Sequence, residues 1–231
     1  MNLFKSLKSY KGTAFEVIVI VFGVMLSFLL NEIRLDLDDK DETISTLQQI
    51  KTDLQKDLFD TNINLPLEHS SMLAIIKLIE CIEAKEPYTE SINNTFSYLT
   101  EWTFLLPSTT ALEIINSNGV NYLTNDSLRI KFLSLHNYTY IERLMLFKSF
   151  KDDLDVMKAF YAKNFTQSYE MYKNYEAEPL NYNELLENNY FKGLLFNHLQ
   201  GHKGLYETDS LIKQTILELL PLVDEEIEKL K

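Results

Sequence analysis

Cysteine, glycine and proline are all scarce in this chain of 231 residues, which has one cysteine, Cys81, with Gly 6 and Pro 5. A lone thiol excludes an intrachain disulfide and a cysteine zinc cluster. So few turn-forming residues argue against a protein of many short strands and against Gly- or Pro-rich linkers. Positive charge is also short: 22 Lys and Arg face 34 Asp and Glu, a net charge of -12. An acidic domain repels a phosphate backbone, so nucleic acid is not an expected partner. The usual catalytic signatures are missing too, with no phosphate-binding Gly loop, no Gly-x-Ser-x-Gly and no His-Glu-x-x-His. "SLIK" (Ser210–Lys213) matches Ser-x-x-Lys, but no Lys-Thr-Gly accompanies it, and Ser210 reads as a residue near a helix start. The sequence points to no catalytic residue and no cofactor.

What the chain does have is one long apolar run, "TAFEVIVIVFGVMLSFLLNEI" (Thr13–Ile33). Ala14 to Leu30 spans roughly 26 Å as a helix, at the short end for a bilayer core. Lys5, Lys8 and Lys11 precede it with no acid, and the acidic "LDLDDKDE" (Leu35–Glu42) follows. No small-x-small cleavage site follows the run, so it reads as an uncleaved signal anchor rather than a signal peptide. The basic flank belongs in the cytoplasm, which sends the rest of the chain across the membrane, into the periplasm of a Gram-negative cell. The expected layout is a basic tail at 1–12, a transmembrane helix at 13–31, a stalk helix at 32–60 and a helical bundle at 61–231, with the lipid bilayer as one partner.

Within the run, Thr13-Ala14-Phe15-Glu16 fits the capping box, Ser/Thr-x-x-Glu, and places Glu16 at the positive end of the helix dipole. The same carboxylate also has two sharper readings, a contact with a partner helix and a group that moves ions or protons. Gly23, Ser27 and Asn31 recur every four residues on one face, close to that of Glu16. Small residues at this spacing let helices approach, and Ser and Asn can bond across, so a second copy or another membrane protein is an expected partner.

Beyond the run, Ile33, Leu37, Ile44, Leu47, Ile50, Leu54 and Leu58 recur at helical spacing. The stalk is expected to end near Phe59, before "TNINLP" (Thr61–Pro66). Helices are then expected over Leu67–Ala84, Glu90–Glu101 and Pro107–Gly119, the last with a cap at Thr109 or Thr110 and Gly119 as terminator. Asn125 or Asp126 should cap the next helix, and a long helix should carry Tyr140, Leu144, Phe147, Leu154, Met157 and Tyr161 on one face. "NYEAEPLNY" (Asn174–Tyr182) reads as a loop. Two last helices follow, about 183–205 and 208–229, with a kink at Pro221. The fold class is all-α, an antiparallel bundle on a membrane anchor.

His198 and His202 lie one helical turn apart and could share a metal ion. They lack a third ligand, since Glu207 is off that geometry, and two boundary histidines are the plainer reading. The tyrosines of the second half, from Tyr161 to Tyr190, are expected mostly in the core, with those of Tyr169–Tyr182 as a contact surface.

Two stretches resemble an uncharacterised family of bacterial single-pass membrane proteins. Its span opens on Gly-Glu, carries a mid-span Gly and is followed by Asn or Asp with a Trp; here Glu16, Gly23 and Asn31 match, Phe15 replaces the first Gly and the Trp is absent. Further on, "ALEII" (Ala111–Ile115), "SNG" (Ser117–Gly119), "SLRI" (Ser127–Ile130), Tyr138 and Tyr140 follow the family's order. The resemblance covers roughly residues 13–165. It implies a bacterial inner-membrane protein with a helical domain and carries over no catalytic residue. The function expected is a non-enzymatic interaction or scaffold module of the cell envelope. The alternative is a sensor or energy-coupling subunit that uses Glu16.

Overall fold

The computed structural model describes residues 3–119, 123–166 and 168–231, with the side chains of these residues other than 3–19, 35–38 and 118. Helix α1 (Leu3–Glu83) is one uninterrupted element of 81 residues, about 120 Å long. From Leu47 onward one stripe of it is buried: Leu47, Ile50, Leu54, Asp57, Thr61, Asn64, Glu68, Ser71, Ile75, Leu78 and Ile82. The steps alternate between three and four, which keeps a single seam facing its neighbours. The expected break at Thr61–Pro66 is absent. The seam turns polar there without ending, and Pro66 sits on the exposed side. Water can take the Asn62 carbonyl that the proline ring leaves unbonded.

Helix α8 (Asn189–Leu230) is likewise one helix of 42 residues, where two were expected. Its buried stripe runs Phe191, Leu195, His198, His202, Leu205, Asp209, Ile212, Ile216, Leu219 and Val223, with the same alternating steps. Pro221 is again exposed, and Ser210 lies inside the helix rather than near its start. Lys51 meets Asp224 at 2.6 Å and Glu68 meets His202 at 2.5 Å, so α8 runs antiparallel to α1.

Between these come the smaller elements. Residues 90–100 form two 3-10 turns around the short α2 (Asn93–Ser97) instead of one helix. Helix α3 (Thr110–Asn118) stops at Gly119, whose φ of 98° suits only glycine. Helix α4 (Asp126–Ser134) is capped by Asn125, which accepts from the Leu128 N–H at 3.1 Å. A π-helical turn at Leu135–Thr139 leads into α5 (Tyr140–Asn164). Strand β1 (Phe165–Thr166) pairs antiparallel with β2 (Glu178–Pro179), which lies in the expected loop, and α6 (Tyr169–Asn174) is held between them. Helix α7 (Tyr182–Glu187) precedes α8. The all-α class stands, and this pair of two-residue strands is the only sheet among the described residues.

Helices α1, α5 and α8 form the bundle, and its core has three zones along the axis. Nearest the apolar run, Leu47, Ile50 and Leu54 pack with Phe132, Ile212 and Ile216. At the far end, Ile75, Leu78 and Phe96 pack with Met157, Phe191 and Leu195. Each such side chain contributes about 1.5–3 kcal/mol when fully buried. The middle zone is polar and holds the candidate site.

Among the described residues no helix is long and apolar enough to cross a membrane. The first part of the predicted span, residues 13–19, lies outside the residues whose side chains are described. From Ile20 to Ile33 the large apolar side chains, Phe22, Met25, Phe28 and Leu30 among them, are exposed.

Candidate functional site

The buried polar stripe of α1 divides into two groups. Toward the apolar run, Asp53 accepts from the Ala111 N–H at 2.8 Å, and Asp57 accepts from the Ser108 N–H at 3.0 Å. These carboxylates take N–H groups at the positive end of α3, where a helix has no internal acceptors. They do the work expected of Thr109 or Thr110; Thr109 makes no cap bond and donates to Glu113. Tyr140 donates to Asp57 at 2.5 Å. Burial raises the Asp57 carboxyl above its ordinary range, against the lowering effect of these bonds. His136 packs between the Phe132 and Tyr140 rings, and burial pushes it down to about 4, so it is neutral at pH 7. This group fixes α3 against α1 and presents nothing to solvent.

The second group lies at mid-bundle. Arg143 of α5 and Asp209 of α8 are 1% and 0% exposed and make a two-pronged pair, Nε to Oδ1 at 2.6 Å and Nη2 to Oδ2 at 3.2 Å. Burial raises the Asp209 carboxyl, opposed by the guanidinium. Arg143 Nη2 also donates to Thr103 Oγ1 at 3.2 Å, and Thr103 donates its own proton to Glu68 Oε1. The other Glu68 oxygen lies 2.5 Å from His202 Nδ1. Thr103 and His202 thus occupy both oxygens of Glu68. His202 Nε2 has no hydrogen-bond partner, and neither nitrogen of His198 has one. The two imidazoles meet edge to face with centroids 4.7 Å apart, and Phe150 packs on both. Burial, then His202 and Lys158, push His198 down to about 3, so it is a neutral ring.

The group itself is buried, but a hollow adjoins it. An inner hollow of about 190 Å³ has His202, Thr103 and Ser71 in its wall, with Tyr98, Trp102 and Tyr175 around them. It adjoins an outer hollow of about 410 Å³ lined by Tyr161, Tyr169 and Tyr172, and the two share Ser97, Glu101 and Tyr175. Glu176 also lines the outer one. Tyr175 can stand there because it adopts a left-handed φ of 53° as the C-cap of α6. The expected tyrosine contact surface is thus partly a cleft wall: Tyr169, Tyr172 and Tyr175 are exposed, while Tyr182 belongs to the far core and Tyr190 is exposed elsewhere.

The residues predicted as helix contacts fall outside this cleft. Helix α1 begins at Leu3, so Thr13 is an interior helical position and not the start of a helix; the side chains of Thr13 and Glu16 lie outside the described ones. Gly23, Ser27 and Asn31 are exposed, and the Ser27 hydroxyl donates to the Gly23 carbonyl at 2.8 Å. His198 and His202 are buried rather than at the boundary, each 1% exposed. Glu68 holds His202 Nδ1, and no three His, Cys, Asp or Glu side chains among the described residues converge as metal ligands. Sequence reading passed over Glu68, Thr103, Arg143 and Asp209. The signal that could have found three of them is a polar residue on a helical stripe of otherwise apolar positions. No family model, no curated protein and no solved structure matches this chain.

Proposed function

We propose that this protein is a bacterial inner-membrane protein with one N-terminal span, and that its helical domain stands outside the cytoplasm as a non-enzymatic binding module. The single observation behind the anchor is the exposed apolar surface of α1 from Ile20 to Ile33. A helix apolar all round needs an apolar solvent. The buried seam begins at Leu47, about 24 Å along the same helix from Asn31, so the domain is carried clear of the lipid. The observation in favour of a binding role is the pair of adjoining hollows walled by Tyr98, Trp102, Tyr169, Tyr172 and Tyr175, side chains of the kind enriched at binding surfaces. The resemblance to single-pass membrane proteins is in keeping with this reading.

The sensor reading has one observation in its favour. Leu67 and Ser71 of α1 line the inner hollow, so the helix that would cross the bilayer also forms the cleft wall. With Thr13 inside that helix, Glu16 is better placed for contact with another helix than for a capping box. Glu16→Gln would separate a neutral contact from a titrating group.

The test is accessibility in intact cells. Cys81 is buried, and its thiol is raised by burial and by Glu86, so it is replaced by serine as a precaution only. In the Cys81→Ser background, Asp39→Cys should react with a thiol reagent that crosses the outer membrane but not the inner one. Protection until lysis would place the domain in the cytoplasm and overturn the proposed location. Release of the protein from membranes by alkaline carbonate would overturn the anchor.

A further inference from the structure

We infer that α1 carries, on the side turned away from its own bundle, a parallel pairing seam for a second copy of this chain. The inference rests on the anchored reading, since a shared membrane sets two copies side by side with the same polarity. Besides its buried stripe, α1 has a second line of residues: Phe59, Ile63, Pro66, Ser70 and Leu73, in steps of four, three, four and three. At 100° per residue this line lies about 160° round the helix from Asp57, Thr61, Asn64, Glu68 and Ser71. The bundle therefore leaves it in water. Phe59, Ile63 and Leu73 are 64%, 48% and 57% exposed, Pro66 is exposed and Ser70 is half-buried. Alternate steps of four and three are those of a coiled-coil seam, which another helix covers when it lies nearly along the same axis.

The same heptad phase recurs in the exposed apolar run. Val24, Phe28 and Asn31 lie on it, and Asn31 precedes Phe59 by 28 residues, or four heptads. An unrelated helix would have to match this phase twice, once in the lipid and once beside the domain. A second α1 matches both, with the same residues facing each other across a two-fold axis. Asn31 would then bond to its own counterpart inside the pair. Between the two blocks the in-phase positions Ser45, Gln49, Thr52 and Lys56 are polar, so contact is confined to the blocks themselves.

Charge and area agree with this occupant. Two copies of a chain with a net charge of -12 repel each other, yet no acid occupies a seam position from Ser45 to Lys77. The block from Phe59 to Leu73, with Leu67 beside it, leaves roughly 450 Å² of apolar surface in water per copy, where a stable interface buries about 800 Å² per partner. Free domains would pair weakly through it. Anchored copies meet at a much higher effective concentration, and the block in the span adds its own contact.

The test is disulfide cross-linking of the full chain in native membranes, in the Cys81→Ser background, with copper phenanthroline as oxidant. Ile63→Cys and Ser70→Cys put single thiols on the seam, where pairing brings them within disulfide reach. Asn62→Cys, one residue off the line, and Lys148→Cys, on the exposed side of α5, report chance encounters. A dimer of twice the chain's mass should form about tenfold faster at 63 and 70 than at 62 and 148. Ile63→Glu, added to Ser70→Cys, changes an exposed side chain, so the bundle keeps its helical signal. It sets like charges opposite each other and should slow cross-linking about tenfold. Equal rates at all four positions, no dimer at 63 and 70, an undiminished rate with Ile63→Glu, or a cross-linked product of another mass would overturn the inference. A failed anchor shows separately, as release of the protein by carbonate, whereas a failed seam shows as monomer that stays in the membrane.

Discussion

Breaking the Arg143–Asp209 pair from one side should cost far more than removing it altogether. Both side chains are at most 1% exposed, and Asp209 makes its two bonds to the guanidinium alone. In Asp209→Leu, Arg143 would keep only Thr103 as partner, with Nη1 already unpartnered in the native protein. An uncompensated charge at such depth costs about 3–5 kcal/mol. At roughly 2–4 °C per kcal/mol for a domain of this size, thermal unfolding should fall by about 10 °C. Arg143→Met should cost somewhat less, because the stranded Asp209 carboxyl is already raised by burial and can take a proton. In the double variant Arg143→Met, Asp209→Leu neither charge has to be desolvated. Its stability should lie within about 2 kcal/mol of wild type, giving a coupling of about 3 kcal/mol or more. Circular dichroism of all four proteins in detergent measures the cycle. If the double variant loses the sum of the two single losses, the two groups are not coupled as described and the account of the polar zone is wrong.

Two further predictions concern the same zone. A Cβ at Gly201 would fall inside the contact surface of the Phe150 ring, so Gly201→Ala should lower stability by about 1–2 kcal/mol, overpacking outweighing the ~1 kcal/mol gained in helix propensity; a variant with a higher melting temperature than wild type would show that Phe150 is free to move. Burial holds His198 at about 3 in the fold, below the ordinary imidazole value of 6.5, so the unfolded chain binds the extra proton between these limits and stability is lost as pH falls from 6.5 toward 3. Asp57 and Asp209, raised by burial, act in the opposite sense, gaining stability as pH falls, but they remain in the variant and cancel in the comparison. Denaturation of wild type and His198→Leu at pH 7, 6 and 5 should show a wild-type slope steeper by up to about 1.4 kcal/mol per pH unit; parallel slopes would mean that the imidazole is protonated in the fold.

The helical class, the Asn125 cap, the Gly119 terminator and the apolar run of α1 were all legible in the sequence, because each depends on residues within one or two turns of one another. The lengths of α1 and α8 were not. Hydrophobic periodicity lapses at Asp57–Ser71 in one helix and at His198–Asp209 in the other, and a local reading takes such a lapse for a break. In the tertiary structure those polar stretches lie opposite each other in an antiparallel pair. Glu68 meets His202 and Asp209 meets Arg143, so their polar groups find partners inside the bundle and both helices continue. The cleft depends in the same way on segments far apart in the chain, with Ser71, Trp102, Tyr175 and His202 brought to one wall. The sequence by itself determined that the chain is helical and where it is apolar. Only the tertiary structure decided which polar residues are buried, because a buried charge is tolerated only where a distant segment supplies its partner.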